Sequence, residues 1–165
     1  MIHLDAPDVG QLEKEYLNEA IDKNFVSTYA PLVSEFEGKM SDYLGKDTVA
    51  MNSGTSALHI ALYALGIGKG DEVIVPSMTF VGTVNPILYV GAKPVFVDVD
   101  ITWNIDPDEI ERNITDKTKA IMPVHLYGNP CMIDEIMRIA KEHSLYVIED
   151  AAEALGAKYK GKYVG

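Results

Sequence analysis

The chain has 165 residues, of which 47% are hydrophobic, enough to bury a full core, so a disordered chain is excluded and one domain is expected. Its 14 Lys and Arg stand against 25 Asp and Glu, a formal charge of −11 that repels a phosphate backbone; nucleic acid is not expected as a partner, and any phosphate must be caught locally. The single cysteine, Cys131, excludes an internal disulfide and a cysteine-rich zinc site, so no metal site is expected and a reducing cytoplasm fits. The first eight residues lack the basic start and apolar core of a signal peptide, and no later apolar run is long enough to cross a bilayer. A soluble protein without a membrane partner is expected.

Residues 9–25 place Leu12, Tyr16, Leu17, Ala20 and Ile21 at helical spacing, and residues 32–44 do the same with Leu32, Phe36, Met40, Tyr43 and Leu44. Two amphipathic helices therefore fill residues 1–46. From residue 47 the pattern changes. Residues 48–51, 72–75, 94–97, 120–124 and 145–148 read as short strands, and 55–65, 79–90, 107–113 and 132–143 as the helices that follow them. Continuously apolar strands alternating with helices predict a mostly parallel sheet covered on both faces, a three-layer αβα architecture. Turn residues agree: Gly66, Gly68 and Gly70 surround one helix exit, Gly91 ends another, and Asp106-Pro107 supplies a cap and a first-turn proline. The stretch 159–165 reads as a hairpin.

Ligands collect at the carboxyl ends of parallel strands, and three groups fall there. Residues 49–62 run from an apolar stretch through Asn52-Ser53-Gly54-Thr55-Ser56 into an apolar helix. Gly54 permits close backbone approach, Thr55 and Ser56 offer hydroxyls and amides, and the helix start directs its positive end at the same point. The same residues also suit simple helix capping, so both readings stand. Pro76-Ser77-Met78-Thr79-Phe80 carries an aromatic ring to the next helix start, and Ile148-Glu149-Asp150-Ala151-Ala152-Glu153 ends a strand in carboxylates. A phosphate anchor, a flat ring and a carboxylate together suit an aromatic, cationic, phosphorylated cofactor, a description that pyridoxal 5'-phosphate meets. His125 fits either a position behind that site or a satisfied core histidine; Cys131 reads as structural, and His59 and His143 as packed or helix-end residues.

Four ordered segments, Asn52 to Leu58, Pro76 to Val81, Pro123 to Gly128 and Glu149 to Gly156, resemble those of the DegT/DnrJ/EryC1/StrS aminotransferases. The resemblance runs from the first helix to Gly165. Glu153, where many members have glutamine, points with Ala154-Leu155-Gly156 to the GDP-perosamine synthase-like branch. It implies the aspartate aminotransferase fold, fold type I, with pyridoxal or pyridoxamine 5'-phosphate as cofactor. It implies amination of a nucleotide-linked 4-keto sugar by an amino acid such as glutamate, in a homodimer. By position, Asp150 would pair with the pyridinium nitrogen and Phe80 would stack on the ring. Gly54, Thr55 and Ser56 would hold the phosphate, and Glu153 would lie near the ring hydroxyl. Thr28 matches a segment near the sugar site, although Ala30 stands where members commonly have glycine.

In that family the lysine that forms a Schiff base with the cofactor, and a small C-terminal domain, lie beyond the position of Gly165. The chain is therefore expected to be a partial large domain, inactive alone. Relatives with histidine in place of that lysine are dehydratases using pyridoxamine phosphate, so that alternative stays open, as does a non-catalytic nucleotide-sugar or cofactor-binding module. A magnesium-dependent nucleotide hydrolase is disfavoured, because no Gly-x-x-x-x-Gly-Lys-Ser/Thr accompanies the Ile148-Glu149-Asp150 strand end.

Overall fold

A computed structural model describes residues 7–27 and 31–165. They divide into two compact units, residues 1–50 and 51–165.

In the first unit the two predicted helices form as α1 (Gln11–Asp22) and α2 (Pro31–Leu44). The Glu13 carboxylate accepts the Gly10 N–H at 2.6 Å and so closes the start of α1. Glu19–Lys23 and Glu35–Lys39 pair one turn apart on exposed surface, where such contacts add only a few tenths of a kcal/mol. Neither helix contains a buried residue; the stripe Leu12, Leu17, Ile21 of α1 is exposed. The strand expected at 48–51 is not formed. Side chains of α2 take the donors that a strand would offer a neighbour: Thr48 N–H donates to Ser41 Oγ at 3.1 Å and Ala50 N–H to the Glu37 carboxylate at 2.8 Å. Thr48 Oγ1 in turn donates to the Glu37 carbonyl at 2.8 Å.

In the second unit the predicted alternation holds: α3 (Gly54–Ala64), β1 (Glu72–Pro76), α4 (Val81–Tyr89), β2 (Lys93–Val97), α5 (Pro107–Arg112), β3 (Thr118–Ile121), α6 (Ile133–His143) and β4 (Tyr146–Val147). The four strands pair in the order β2-β1-β3-β4, all parallel. Every residue of β1 is buried, as a strand covered on both faces must be. Its side chains alternate between two cores. Val73 and Val75 join Leu58 and Leu62 of α3 and Ile87 of α4, while Ile74 joins Ile110 of α5 and Ile136 and Ile139 of α6. The layers are thus α3 and α4 on one face of the sheet and α5 and α6 on the other. At the sheet's amino edge, Thr115 Oγ1 and Lys93 Nζ donate to Glu72 at 2.7 and 2.9 Å and hold its carboxyl below the usual carboxylate range.

The predicted hairpin is β5 (Lys158–Tyr159) with β6 (Lys162–Tyr163), joined through Lys160 and Gly161, both at positive φ as a two-residue turn requires. Asp106 caps α5 by accepting the Asp108 N–H at 2.9 Å. Helix α3 ends where Gly66 adopts φ +73°, and the Ile67 and Gly66 N–H groups return to the carbonyls of Leu62 and Tyr63. A Cβ on Gly66 would meet no atom within 4 Å, so the left-handed backbone alone sets the cost of a side chain there. Gly66→Ala is expected to lower stability by about 1 kcal/mol in urea unfolding, and Gly66→Asn by less, since asparagine tolerates this conformation.

Candidate active site

Between β1 and β3 the chain reverses its direction of travel: β1 leads through α4 to β2 on one side, and β3 leads through α6 to β4 on the other. A crevice opens at the carboxyl ends of strands at such a point. Parallel pairing continues past the regular strands as a bridge between Val124 and Asp150, in which His125 N–H donates to the Asp150 carbonyl at 3.1 Å and Asp150 N–H to the Pro123 carbonyl at 2.9 Å. A cleft of about 350 Å³ lies at this edge. Gly54, Thr55, Phe80, Thr83, Asp150 and Glu153 are among the residues lining it.

At one end of the cleft α3 begins. Ser53, rather than Thr55 or Ser56, is the capping residue: its Oγ accepts the Ser56 N–H at 3.2 Å. The Ser56 amide is therefore engaged within the helix start, and Ser56 does not line the cleft. The Gly54 and Thr55 amides have no acceptor among the described residues. Two such donors at the positive end of an 11-residue helix suit an anion.

Phe80 stands at the cap position of α4 with its residue 77% exposed, unusual for an aromatic packed only for core volume. Gly82 lies against it: a Cβ there would come within 2.9 Å of both the Phe80 ring and Thr55 Oγ1. Only a residue without a side chain lets these two cleft groups approach across the first turn of α4. Asp150 accepts Thr83 Oγ1–H on Oδ2 at 2.7 Å and the Ala152 N–H on Oδ1 at 3.1 Å. Glu153 accepts the Tyr127 N–H at 2.7 Å, tying it to the short 3-10 turn Leu126–Gly128.

Behind the cleft, His125 is fully buried. Its Nδ1 accepts the Cys131 N–H at 3.1 Å, so the ring is the neutral tautomer with its proton on Nε2, donated to Glu149 at 2.8 Å. That hydrogen bond holds the Glu149 carboxyl below its ordinary value of 4.5 despite burial. The neighbouring Cys131 thiol donates to the Val124 carbonyl at 3.1 Å, and burial pushes it up to about 12.

The structure thus brings Gly54, Thr55, Phe80, Asp150 and Glu153 to one cleft, leaves Ser56 in the helix cap, and Thr28 lies outside the described residues. Sequence reasoning missed Ser53, Gly82 and Thr83. Ser53 carried a signal, a serine three residues before Ser56 at a helix start. Thr79 and Thr83, four apart, carried a weaker one, and Gly82 none beyond its glycine. Outside the cleft, Glu111, Glu142 and His143 come together on exposed surface, where Arg138 already bridges the two glutamates.

These features define an α/β protein with its small-molecule cleft at the carboxyl edge of a parallel sheet. Comparison with known proteins makes the class specific. The family model for the DegT/DnrJ/EryC1/StrS aminotransferase family matches residues 7–165, and the chain belongs to that family. It is 50% identical over 161 residues to the GDP-perosamine synthase of Escherichia coli, covering 96% of this chain and 44% of that protein. It is 50% identical over 166 residues to the GDP-perosamine synthase of Caulobacter vibrioides, covering 99% and 45%. The solved aminotransferase from Psychrobacter cryohalolentis superposes with a TM-score of 0.92 at 45% identity, covering 96% of this chain and 41% of that one. NtdA from Bacillus subtilis with bound cofactor PMP gives 0.85 at 41% identity, covering 92% and 36%. The fold is that of the fold type I aminotransferases, and the chain spans less than half the length of these curated relatives.

Two outcomes follow for the groups behind the cleft. The Cys131 thiol stays unreactive toward a thiol reagent such as Ellman's until the protein unfolds, whereas an exposed thiol reacts within minutes. Because the folded Glu149 value lies below 4.5, its ionised form stabilises the fold above that pH, and the contribution is lost as pH falls through 4.5 toward the folded value. Glu149→Gln is expected to cost about 1 kcal/mol near neutral pH, and the difference from the parent is expected to shrink as pH falls below 4.5, measured by urea unfolding across pH.

Proposed function

We propose that the chain is part of a pyridoxal-phosphate-dependent aminotransferase that passes an amino group from an amino acid such as glutamate to a nucleotide-linked 4-keto sugar. The observation that carries this reading is the cleft itself, which sets the unengaged Gly54 and Thr55 amides and the doubly hydrogen-bonded Asp150 carboxylate around one space. Relatives named GDP-perosamine synthase at 50% identity support the sugar class, and a solved relative with bound PMP supports the cofactor. Residues 1–165 would form part of the large domain, helices in 1–46 leading to βα units in 47–165. A cytoplasmic location and a homodimer belong to the same reading.

When bound, pyridoxal or pyridoxamine phosphate supplies an electron sink and a carrier for the amino group. The residues present fit it. The Gly54 and Thr55 amides, with the Thr55 hydroxyl and the positive end of α3, would bind the phosphate locally in a chain whose net charge would otherwise repel it. Phe80 offers its exposed face to the flat ring. Asp150 would hold the proton at the ring nitrogen, because a carboxylate already fixed by two donors needs no reorganisation to accept a third. In this reading Glu153 would lie near the ring hydroxyl, and Thr28, expected near the sugar, falls outside the described residues.

Titration of the protein with pyridoxamine 5'-phosphate, followed by absorbance, tests the reading. Saturable binding is expected, weakened at least about tenfold in Asp150→Asn, where the partner for a cationic ring nitrogen is lost. Amino transfer from glutamate to a nucleotide-linked 4-keto sugar by the full-length protein completes the test. Absence of saturable binding, or equal binding by Asp150→Asn, would overturn the assignment.

A further inference from the structure

Three polar side chains stand in line where α4 meets the cleft. Thr83 is only 1% exposed, and its Oγ1 donates to Asp150 Oδ2 at 2.7 Å across 67 positions of sequence. A hydroxyl has one proton. With that proton given to Asp150, the 2.7 Å contact between the Thr83 and Thr79 hydroxyls can run in one sense only: Thr79 donates and Thr83 accepts. The chain Thr79 to Thr83 to Asp150 is therefore polarised toward the carboxylate, and each bond strengthens the next in a poorly solvated setting. The second carboxylate oxygen is fixed independently by the Ala152 N–H at 3.1 Å.

A buried threonine at a helix start has a local way to satisfy its hydroxyl, by bonding a backbone carbonyl three or four residues before it. Thr83 does not take it. It occupies the first turn of the nine-residue helix α4, where the helix dipole also favours an anion, and spends its proton on a cleft carboxylate. A side chain needed only for volume would be served equally by valine, which has the same shape without the hydroxyl.

We propose that Thr83, backed by Thr79, is a positioning residue that fixes the Asp150 carboxylate in the cleft so that it meets a cationic ring nitrogen without reorientation. The identity of that ring rests on the cofactor reading above; the hydroxyl chain does not. Removing the Thr83 hydroxyl leaves one oxygen of Asp150 without its donor and frees the carboxyl to rotate, while Thr83→Ser keeps the donor.

The test uses pyridoxamine 5'-phosphate labelled with 15N in the ring. Thr83→Val is expected to bind it about tenfold more weakly and to move the ring nitrogen resonance toward the unprotonated position. Thr83→Ser restores both, and Thr79→Val shifts both in the same direction by less. Wild-type affinity and an unmoved nitrogen resonance in Thr83→Val, with only the melting temperature lowered, would mean that Thr83 merely fills space. A double-mutant cycle of Thr83→Val and Asp150→Asn, read by urea unfolding without cofactor, measures the coupling directly. Should the unaltered protein fail to bind the labelled compound, the cofactor reading falls and the cycle decides alone: non-additive effects uphold the pairing, additive effects overturn it.

Discussion

The parallel ladder between the third and fourth strands controls the rest of the site. Regular pairing stops at Ile121 and Val147, yet the backbone bonds continue through Ile148 N–H to the Ile121 carbonyl, Asp150 N–H to the Pro123 carbonyl and His125 N–H to the Asp150 carbonyl. That continuation is where the core becomes chemistry. The same ladder that buries Ile121 delivers Asp150 into the cleft and places His125 in full burial one residue beyond the bridge. A one-residue slip would send Asp150 to the opposite face, because side chains alternate along a strand. Ile121 faces the core that contains Ile136 and Ile139, and its burial there fixes the register that Asp150 inherits.

Charge is handled by the same local means. A chain with a net charge of −11 has no general attraction for an anion, so binding must come from dipoles aimed at close range. The start of α3 offers such dipoles at one end of the cleft, and the start of α4 directs the Thr83 hydroxyl at Asp150. The two helices lie on one face of the sheet and share one core through Leu58, Leu62 and Ile87. Packing thus converges two helix starts on one space. Gly82, where any side chain would collide with Phe80 and Thr55, is the steric condition for that convergence.

Much of this was legible in the sequence, for reasons that can be named. The central strand announces itself because a parallel strand buried on both faces reads as a continuous apolar run, as in Val73-Ile74-Val75. Gly54, Thr55, Phe80 and Asp150 were legible because each sits at a junction where a contiguous motif changes period. The stretch 48–51 looked like a strand for the same apolar reason and is not one. Its donors are met by Ser41 and Glu37, side chains whose reach no periodicity records, and Val49 is left 78% exposed. That Ser53, three residues before Ser56, is the capping residue could not be read from spacing, since the capping geometry depends on an extended backbone at that residue.

Thr83 and Gly82 mark where sequence reading stops. Thr83 acquires its partner through the meeting of a helix start and a strand end 67 residues apart, and no spacing rule links the two. Gly82 looks like a neutral residue in a helix, where glycine normally costs stability by roughly 1 kcal/mol relative to alanine. That cost is the informative quantity. A helix that tolerates it in its first turn, directly beside an exposed aromatic ring, gains close approach of Phe80 to Thr55 in return. The site is therefore specified twice: once by residues that offer chemistry and can be read in order along the chain, and once by residues whose only task is to let the first set meet.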